Sequence, residues 1–320
     1  MSRPKVFLTR MIPQAGINLL AARCELEINP QDRPLSKADL LERVRGRDAV
    51  LCILTDRIDA DVMAAAAPTC RIFANLAVGY DNIDVAAARS HGIRVSNTPG
   101  VLTEDTAEMA WALIFAACRR IVEADRFMRT GQWIGWGPLQ FLGQGISGKT
   151  LGLVGAGRIG SEVARMSAGF RMKIVYCDEH PNERIEQELG AQRTDLETVL
   201  RTSDIVSLHC PLTPQTRHLI GAAQLAMMKR TAVLVNTSRG PVIEEDDLVA
   251  ALRNGVIAAA GLDVYEQEPR MAAGLADLPN VVVCPHIASA TYHTRSQMAI
   301  IAARNILAVL EGKEPESPVA

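Results

Sequence analysis

No C-x-x-C pair occurs among the seven cysteines of this 320-residue chain, and no Cys/His spacing matches a metal site. Most of the cysteines sit in or beside apolar runs, Cys52 in "VLCIL", Cys177 in "IVYCD" and Cys284 in "VVVCP", so they read as reduced core thiols, and no metal is expected. A sharper reading pairs Cys284 with His286 as nucleophile and base, two apart on a strand and so on one face; the signals assembled below leave it little to explain. An excess of either charge is also missing. Lys and Arg number 34 against 36 Asp and Glu, and no basic run is interleaved with the aromatics, which make up 4%. Neither nucleic acid nor a membrane surface is therefore an expected partner. Long apolar runs are absent too. The most apolar helical stretch, "MAWALIFAAC" (109–118), is roughly half of the ~20 residues a membrane span needs, so it reads as a buried helix. The start "MSRPKVFLTR" has no apolar signal core, which makes the cytoplasm the expected location.

What is present is an alternation of strand-length apolar runs with helix-length segments. In the first third the runs are 5–9, 49–54, 71–77 and 93–97, with helix-like stretches at 37–45 and 84–92. Continuous Val/Ile/Leu strands separated by helices imply a parallel sheet covered on both faces. A long helix is predicted over 103–130, opened by Glu104, Asp105 and Glu108 at its positive end and stopped by Gly131. The irregular "GQWIGWGPLQFLGQGISGKT" (131–150) suits a domain boundary or an arm to another subunit. Six further runs follow, at 150–155, 172–178, 204–210, 231–236, 258–264 and 280–286, predicting a second, complete doubly wound sheet.

"LGLVGAGRIGSEVARMSAGF" is strand, G-x-G-x-x-G, then helix. Gly155 permits the tight turn, Gly157 lets a pyrophosphate approach the backbone, and Gly160 lets helix and strand pack closely. Ile159, Val163, Met166 and Phe170 recur at helical spacing, so a helix N-terminus faces the phosphates. A lone motif of this kind is weak. Here a second strand ends at Asp178, about 20 residues on, where a carboxylate meets the adenosine ribose hydroxyls. That carboxylate repels a 2′-phosphate, and Glu179, His180 and Pro181 after it supply no cation. NAD(H) is expected over NADP(H), with NADP(H) the alternative. Because the motif begins near residue 155, a whole domain precedes it, and holding substrate is its expected role.

In a doubly wound sheet, ligands lie beyond the carboxyl ends of the strands, and unusual polar residues fall there: Arg239 after "VLVN", Asp263 and Glu268 after "AAAGL", His286 and Ser289 after "VVVC". Singly, Arg239 reads as a surface ion pair, Glu268 as a solvated loop acid and His286 as a strand-end turn residue. Three on one rim beside a dinucleotide site favour chemistry. Hydride transfer to a ketone leaves an alkoxide that needs a proton, and a histidine suits that task near neutrality. Glu268 is the candidate to orient the imidazole. The planar fork of Arg239 fits a carboxylate, which predicts a 2-keto acid as the oxidised substrate.

"NLAVGYDNID" (75–84), "NTPGVLTEDTAE" (97–108), "GKTLGLVGAGRIG" (148–160), "HCPLTPQTRHLI" (209–220), "VLVNTSRGPVIEEDDL" (233–248), "AAGLDVYEQEP" (259–269) and "PHIASAT" (285–291) span essentially the whole chain. With them the sequence resembles the D-isomer-specific 2-hydroxyacid dehydrogenases, nearest the glyoxylate/hydroxypyruvate reductases and 2-ketogluconate reductases. The resemblance implies that Arg239, Glu268 and His286 are the catalytic set, and that backbone N–H groups around Val78 and Gly79 hold the substrate carboxylate. Ser289 joins the substrate-binding set. The resemblance further implies that Asp263 contacts the nicotinamide carboxamide and that Thr106, Arg158, Ile159, Pro211, Thr216 and Thr237 line the cofactor. For the fold it implies a Rossmann dinucleotide-binding domain (101–289) inserted in a flavodoxin-like substrate domain (1–100 plus 290–320), and a homodimer. Two roles stay open. Trp136 reaches a neighbouring subunit's site or only packs an interface, and Arg295 touches substrate or is a helix-start surface charge. Ala288 stands where glycine is usual, which narrows the cleft beside the nicotinamide. The expected activity is NADH-dependent reduction of glyoxylate and hydroxypyruvate, with 2-ketogluconate or another 2-keto acid as the alternative substrate. A rival of another class is an NADH-sensing binding protein akin to the related corepressors.

Overall fold

The computed structural model describes residues 3–319. The chain forms two compact units, Met1–Leu102 with Ala290–Ala320, and Thr103–Ser289.

The first unit holds a five-stranded parallel sheet of β1 (Lys5–Leu8), β2 (Glu25–Ile28), β3 (Ala49–Cys52), β4 (Ile72–Asn75) and β5 (Arg94–Ser96). The order β2-β1-β3-β4-β5 is that of a flavodoxin-like doubly wound sheet. Strands β3 and β4 are buried at every residue, which is why they read as unbroken apolar runs. Phe7, Val50, Cys52, Phe73 and Val95 form one core with Val62 and Met63 of the helix Ala60–Ala66. The helix Tyr292–Leu310 returns the chain to this unit. Its Asn305 donates to the Asn97 carbonyl at 3.3 Å, and Ser317 Oγ to the same oxygen at 2.6 Å.

The second unit holds β6 (Thr150–Val154), β7 (Lys173–Cys177), β8 (Gln192–Arg193), β9 (Ile205–Leu208), β10 (Val233–Asn236), β11 (Ala259–Leu262) and β12 (Val281–Val283). All neighbours are parallel, in the order β8-β7-β6-β9-β10-β11-β12. This is the Rossmann arrangement, reversing direction between β6 and β9. The chain thus has the fold class its alternation predicts, two doubly wound parallel sheets. Buried Val/Leu/Ile side chains on both faces, each worth ~1.5–3 kcal/mol of transfer free energy, supply the driving force.

The structure corrects the sequence reading in three places. The second sheet has seven strands where six apolar runs are visible, because β8 is a two-residue exposed edge, Gln-Arg, with no hydrophobic signature. The edge strand β2, "ELEI", is only partly buried and alternates with charge, so it too escapes a search for apolar runs. The single helix expected over 103–130 is two, Thr103–Cys118 and Ile121–Arg129. Arg120 between them is left-handed (φ 54°), its guanidinium bonded to Glu123 and lying 5.4 Å from the Phe141 ring centre. Those contacts hold a break that helix propensity alone would not produce. Among the described residues no helix is long and apolar enough to cross a membrane.

Candidate active site

The glycine turn joins β6 to the helix Arg158–Met166. Gly155 has φ +92°, and a Cβ there would lie 2.6 Å from the Cys210 nitrogen. A Cβ on Gly160 would lie 2.2 Å from the Gly155 oxygen, so the helix sits directly on the turn. At Gly157, the N-cap, a Cβ would meet nothing within 4 Å. Open space above a helix N-terminus is what a pyrophosphate needs. Thr237, 7% exposed, buries a hydroxyl that has no hydrogen-bond partner among the described residues. The turn, the open helix end and this orphaned hydroxyl fit a bound dinucleotide.

Asp178 follows β7 and is tied into the same turn: Oδ2 accepts the Ala156 N–H at 2.7 Å and Oδ1 the His180 N–H at 3.1 Å. One lone pair on each oxygen remains for ribose hydroxyls. The sequence reading finds no cation near Asp178, but the fold brings one. Arg193 pairs with Tyr176 across β7 and β8, and its Nη2 donates to the Asp178 carbonyl at 2.9 Å and the Glu179 carbonyl at 2.7 Å. Asn182, also unforeseen, donates to the Ala156 carbonyl at 2.6 Å and Ser161 Oγ at 2.8 Å, bracing the turn from its other side. His209 lies under the turn, its N–H on the Val154 carbonyl and its Nε2 2.8 Å from Ser207 Oγ. Burial pulls its pKa down to about 4, so it is a neutral histidine.

Around the rest of the rim, Thr216 Oγ1 donates to the Pro211 carbonyl at 2.6 Å and closes the loop after β9. Thr106 is buried in the first turn of the helix Thr103–Cys118. Arg158 and Ile159 open the helix after the glycine turn.

His286 follows β12 in a left-handed backbone (φ 54°). Its Nδ1 faces both oxygens of Glu268, at 3.0 and 3.1 Å. A carboxylate only accepts, so Nδ1 carries the proton and Nε2 is the nitrogen left to face a substrate. Burial raises the Glu268 pKa, yet the His286 hydrogen bond and charge, the Tyr265 N–H and the Arg239 charge outweigh it and hold the carboxyl below its ordinary value. Asp263 carries a load the sequence reading does not assign to it. Its oxygens accept the N–H groups of Ile287 at 2.8 Å and Ala288 at 2.7 Å, and its carbonyl accepts that of His286 at 2.9 Å. It anchors the turn that presents the imidazole. Burial raises its pKa against those two N–H donors and the His286 charge.

Arg239 sits on the adjacent loop, after β10. Asn236 Nδ2 donates to the Arg239 carbonyl at 2.9 Å, and Arg239 Nη1 to the Ser238 carbonyl at 2.8 Å. At Gly240 a Cβ would lie 1.8 Å from the Tyr265 carbonyl carbon, so the Arg239 and Glu268 loops pack backbone on backbone. His218 links the same loops from outside, Nδ1 2.6 Å from Glu244 and Nε2 2.8 Å from Glu266, while its N–H bonds the Pro241 carbonyl. With a carboxylate on each ring edge, His218 fits a hydrogen-bonded bridge better than a ligand to a single ion.

Arg239, Glu268, His286 and Asp263 thus lie together at the carboxyl ends of β10, β11 and β12, and Ser289 closes this unit. Val78, Gly79 and Arg295 belong to the other unit, the first two in the loop after β4 and Arg295 on the helix Tyr292–Leu310. All seven cysteines are free thiols. Burial raises the Cys284 thiol pKa, which disfavours a thiolate nucleophile there.

The model of the D-isomer-specific 2-hydroxyacid dehydrogenase NAD-binding domain matches residues 111–288. A glyoxylate reductase of Korarchaeum cryptofilum is 51% identical over 319 residues, covering 99% of this chain and 96% of that one. A crystal structure of a glyoxylate reductase from Paecilomyes thermophila superposes with a TM-score of 0.89 at 33% identity, covering 100% of this chain and 99% of that one. An NADPH-dependent glyoxylate/hydroxypyruvate reductase from Sinorhizobium meliloti, solved with NADP and malonate, gives 0.88 at 34%, covering 100% and 97%.

Proposed function

The chain belongs to the D-isomer-specific 2-hydroxyacid dehydrogenase family, and on that premise we propose that it reduces small 2-keto acids with NADH: glyoxylate to glycolate, and hydroxypyruvate to D-glycerate. The observation that carries this reading is the His286 ring held through Nδ1 by both oxygens of Glu268. When bound there, NADH would supply the hydride for the carbonyl carbon. His286 gives the proton from Nε2 to the carbonyl oxygen, and Glu268 keeps the imidazole in the tautomer and orientation that can do so. Arg239 binds the carboxylate and polarises the carbonyl, and the N–H groups of Val78 and Gly79 are further donors to the carboxylate. Ser289 and Arg295 complete the substrate-binding set.

Gly155, Gly157, Arg158, Ile159 and Gly160 would hold the pyrophosphate, Asp178 the adenosine ribose, and Thr106, Pro211, Thr216, Thr237 and Asp263 the remainder of the cofactor. The carboxylate of Asp178 supports NADH over NADPH, because it accepts from a 2′-hydroxyl and repels a 2′-phosphate. Residues 1–100 with 290–320 form the substrate domain and 101–289 the cofactor domain in this reading, supported by the two compact units. A cytoplasmic homodimer is the assembly proposed. Trp133, Ile134, Trp136, Leu139 and Leu142 are exposed together, and the helix Ile121–Arg129 has no fully buried residue, which supports a partner subunit over this arm.

The test follows absorbance at 340 nm with NADH, then NADPH, against glyoxylate, hydroxypyruvate, pyruvate and 2-ketogluconate. Fast loss of NADH with glyoxylate or hydroxypyruvate is expected. A higher kcat/KM with NADPH would overturn the role of Asp178. No loss with any acid, but tight NADH binding, would overturn the reductase in favour of a sensor.

A further inference from the structure

The loop after β4 contains three consecutive carbonyls that each accept a hydrogen bond. The Ala77 oxygen accepts the Thr98 N–H at 2.9 Å. The Val78 oxygen accepts Asn97 Nδ2 at 2.8 Å, and the Gly79 oxygen accepts Asn75 Nδ2 at 2.9 Å. A trans peptide sets its C=O and N–H antiparallel, so each held carbonyl turns the next N–H the opposite way. The N–H groups of Val78, Gly79 and Tyr80 are those three, and none has a partner among the described residues. Successive N–H groups turned outward make an anion-binding concavity.

The asparagines that hold this loop are themselves held. Asn75 is fully buried at the end of β4, and its Nδ2 also meets Asn82 Oδ1 at 3.1 Å. Asn82 in turn donates to the carbonyls of Ile53 at 3.2 Å and Asp56 at 3.0 Å. The backbone of Asn97 is tied by the Ser317 hydroxyl at 2.6 Å and the Asn305 amide at 3.3 Å, both on its carbonyl. Among the described residues its side chain has one bond, to the Val78 carbonyl. A carbonyl can only accept, so the NH2 end of Asn97 faces it.

We propose that Asn97 is a positioning residue for substrate recognition: by gripping the Val78 carbonyl it aims the Gly79 N–H at the carboxylate of the 2-keto acid. The proposal rests on the reading that Val78 and Gly79 bind that carboxylate. Asn97 touches no substrate and sets the direction of a dipole that does. Without its grip the peptide between Val78 and Gly79 is free to rotate, and the acid loses an aligned donor while hydride transfer keeps its geometry.

The experiment compares glyoxylate with its neutral amide, glyoxylamide, in the full-length protein. Variants are Asn97→Ala, the isosteric Asn97→Asp, and Ser317→Ala as a control that removes the hydroxyl shared by the Asn97 carbonyl and the Asn305 amide and leaves the Asn97 side chain in place. NADH affinity is read separately by fluorescence. Expected are a wild-type preference for the acid, a rise of roughly tenfold in glyoxylate KM in both Asn97 variants with little change in kcat, an unchanged amide KM, and an unchanged NADH Kd. Ser317→Ala keeps the wild-type preference. If the wild type prefers the acid and both folded Asn97 variants keep that preference, the role of Asn97 is overturned and the carboxylate reading stands. If the wild type does not distinguish acid from amide, the carboxylate reading itself falls. Asn97→Asp keeps the side-chain shape, so it decides the matter if Asn97→Ala fails to fold.

Discussion

Glu268 meets His286 with both carboxylate oxygens, 3.0 and 3.1 Å from a single ring nitrogen. Both side chains are about one-quarter exposed, 27% and 25%, so the pair is screened on most sides yet open on one. Within this unit the arrangement serves one end, an imidazole whose Nδ1 is occupied and whose Nε2 is available.

Replacing Glu268 by Gln keeps the shape and removes the carboxylate that accepts from His286 Nδ1. The kcat/KM for glyoxylate reduction drops on the order of a hundredfold. Stability changes in a defined window as well. The folded carboxyl lies below its ordinary value, so its contribution is complete above the unfolded pKa of ~4.3 and is lost as pH falls through the folded value. Urea midpoints of wild type and Glu268→Gln therefore differ at pH 7 and converge in acid. A kcat/KM equal to wild type would remove Glu268 from its role.

His286→Asn tests the proton donor without straining the chain, because Asn tolerates the left-handed backbone (φ 54°) that His286 adopts. Turnover drops ~10²–10⁴-fold while NADH binding, read by fluorescence, stays within roughly twofold. Wild-type rates in this variant would refute the assignment.

Asp178→Ser removes the carboxylate proposed to repel a 2′-phosphate and leaves Arg193 beside the loop, 2.9 Å from the Asp178 carbonyl. The ratio of kcat/KM for NADPH to that for NADH rises by at least roughly tenfold. Adding Arg193→Ala reverses most of the gain. If the double variant keeps it, Arg193 has no part in cofactor choice.

His209 gives the fold an acid sensitivity of its own. Its folded pKa, about 4, lies below the ~6.5 of an exposed histidine. The unfolded chain therefore takes up a proton first as pH falls. Stability is complete above ~6.5 and erodes toward pH 4, by up to about 3 kcal/mol. His209→Gln flattens this slope in urea titrations between pH 7.5 and 4.5. A slope equal to wild type would mean that other groups carry it.

The alternation of apolar runs and helical segments determined two doubly wound parallel sheets, because a strand buried on both faces has to be apolar throughout. The glycine motif and an acid after the next strand determined a dinucleotide turn, since only glycine tolerates the approach of Cys210 and of the following helix at Gly155 and Gly160. The positions of Arg239, Glu268 and His286 at strand ends were legible for the same reason. Tertiary structure decided what no spacing encodes. Arg193 reaches Asp178 only because a two-residue edge strand pairs with β7. Asp263 anchors the His286 turn, and Asn97 grips Val78 from 19 residues away. Hydrogen bonds between residues distant in sequence leave no periodic trace, because each depends on where two separate strands end rather than on the order of residues within either.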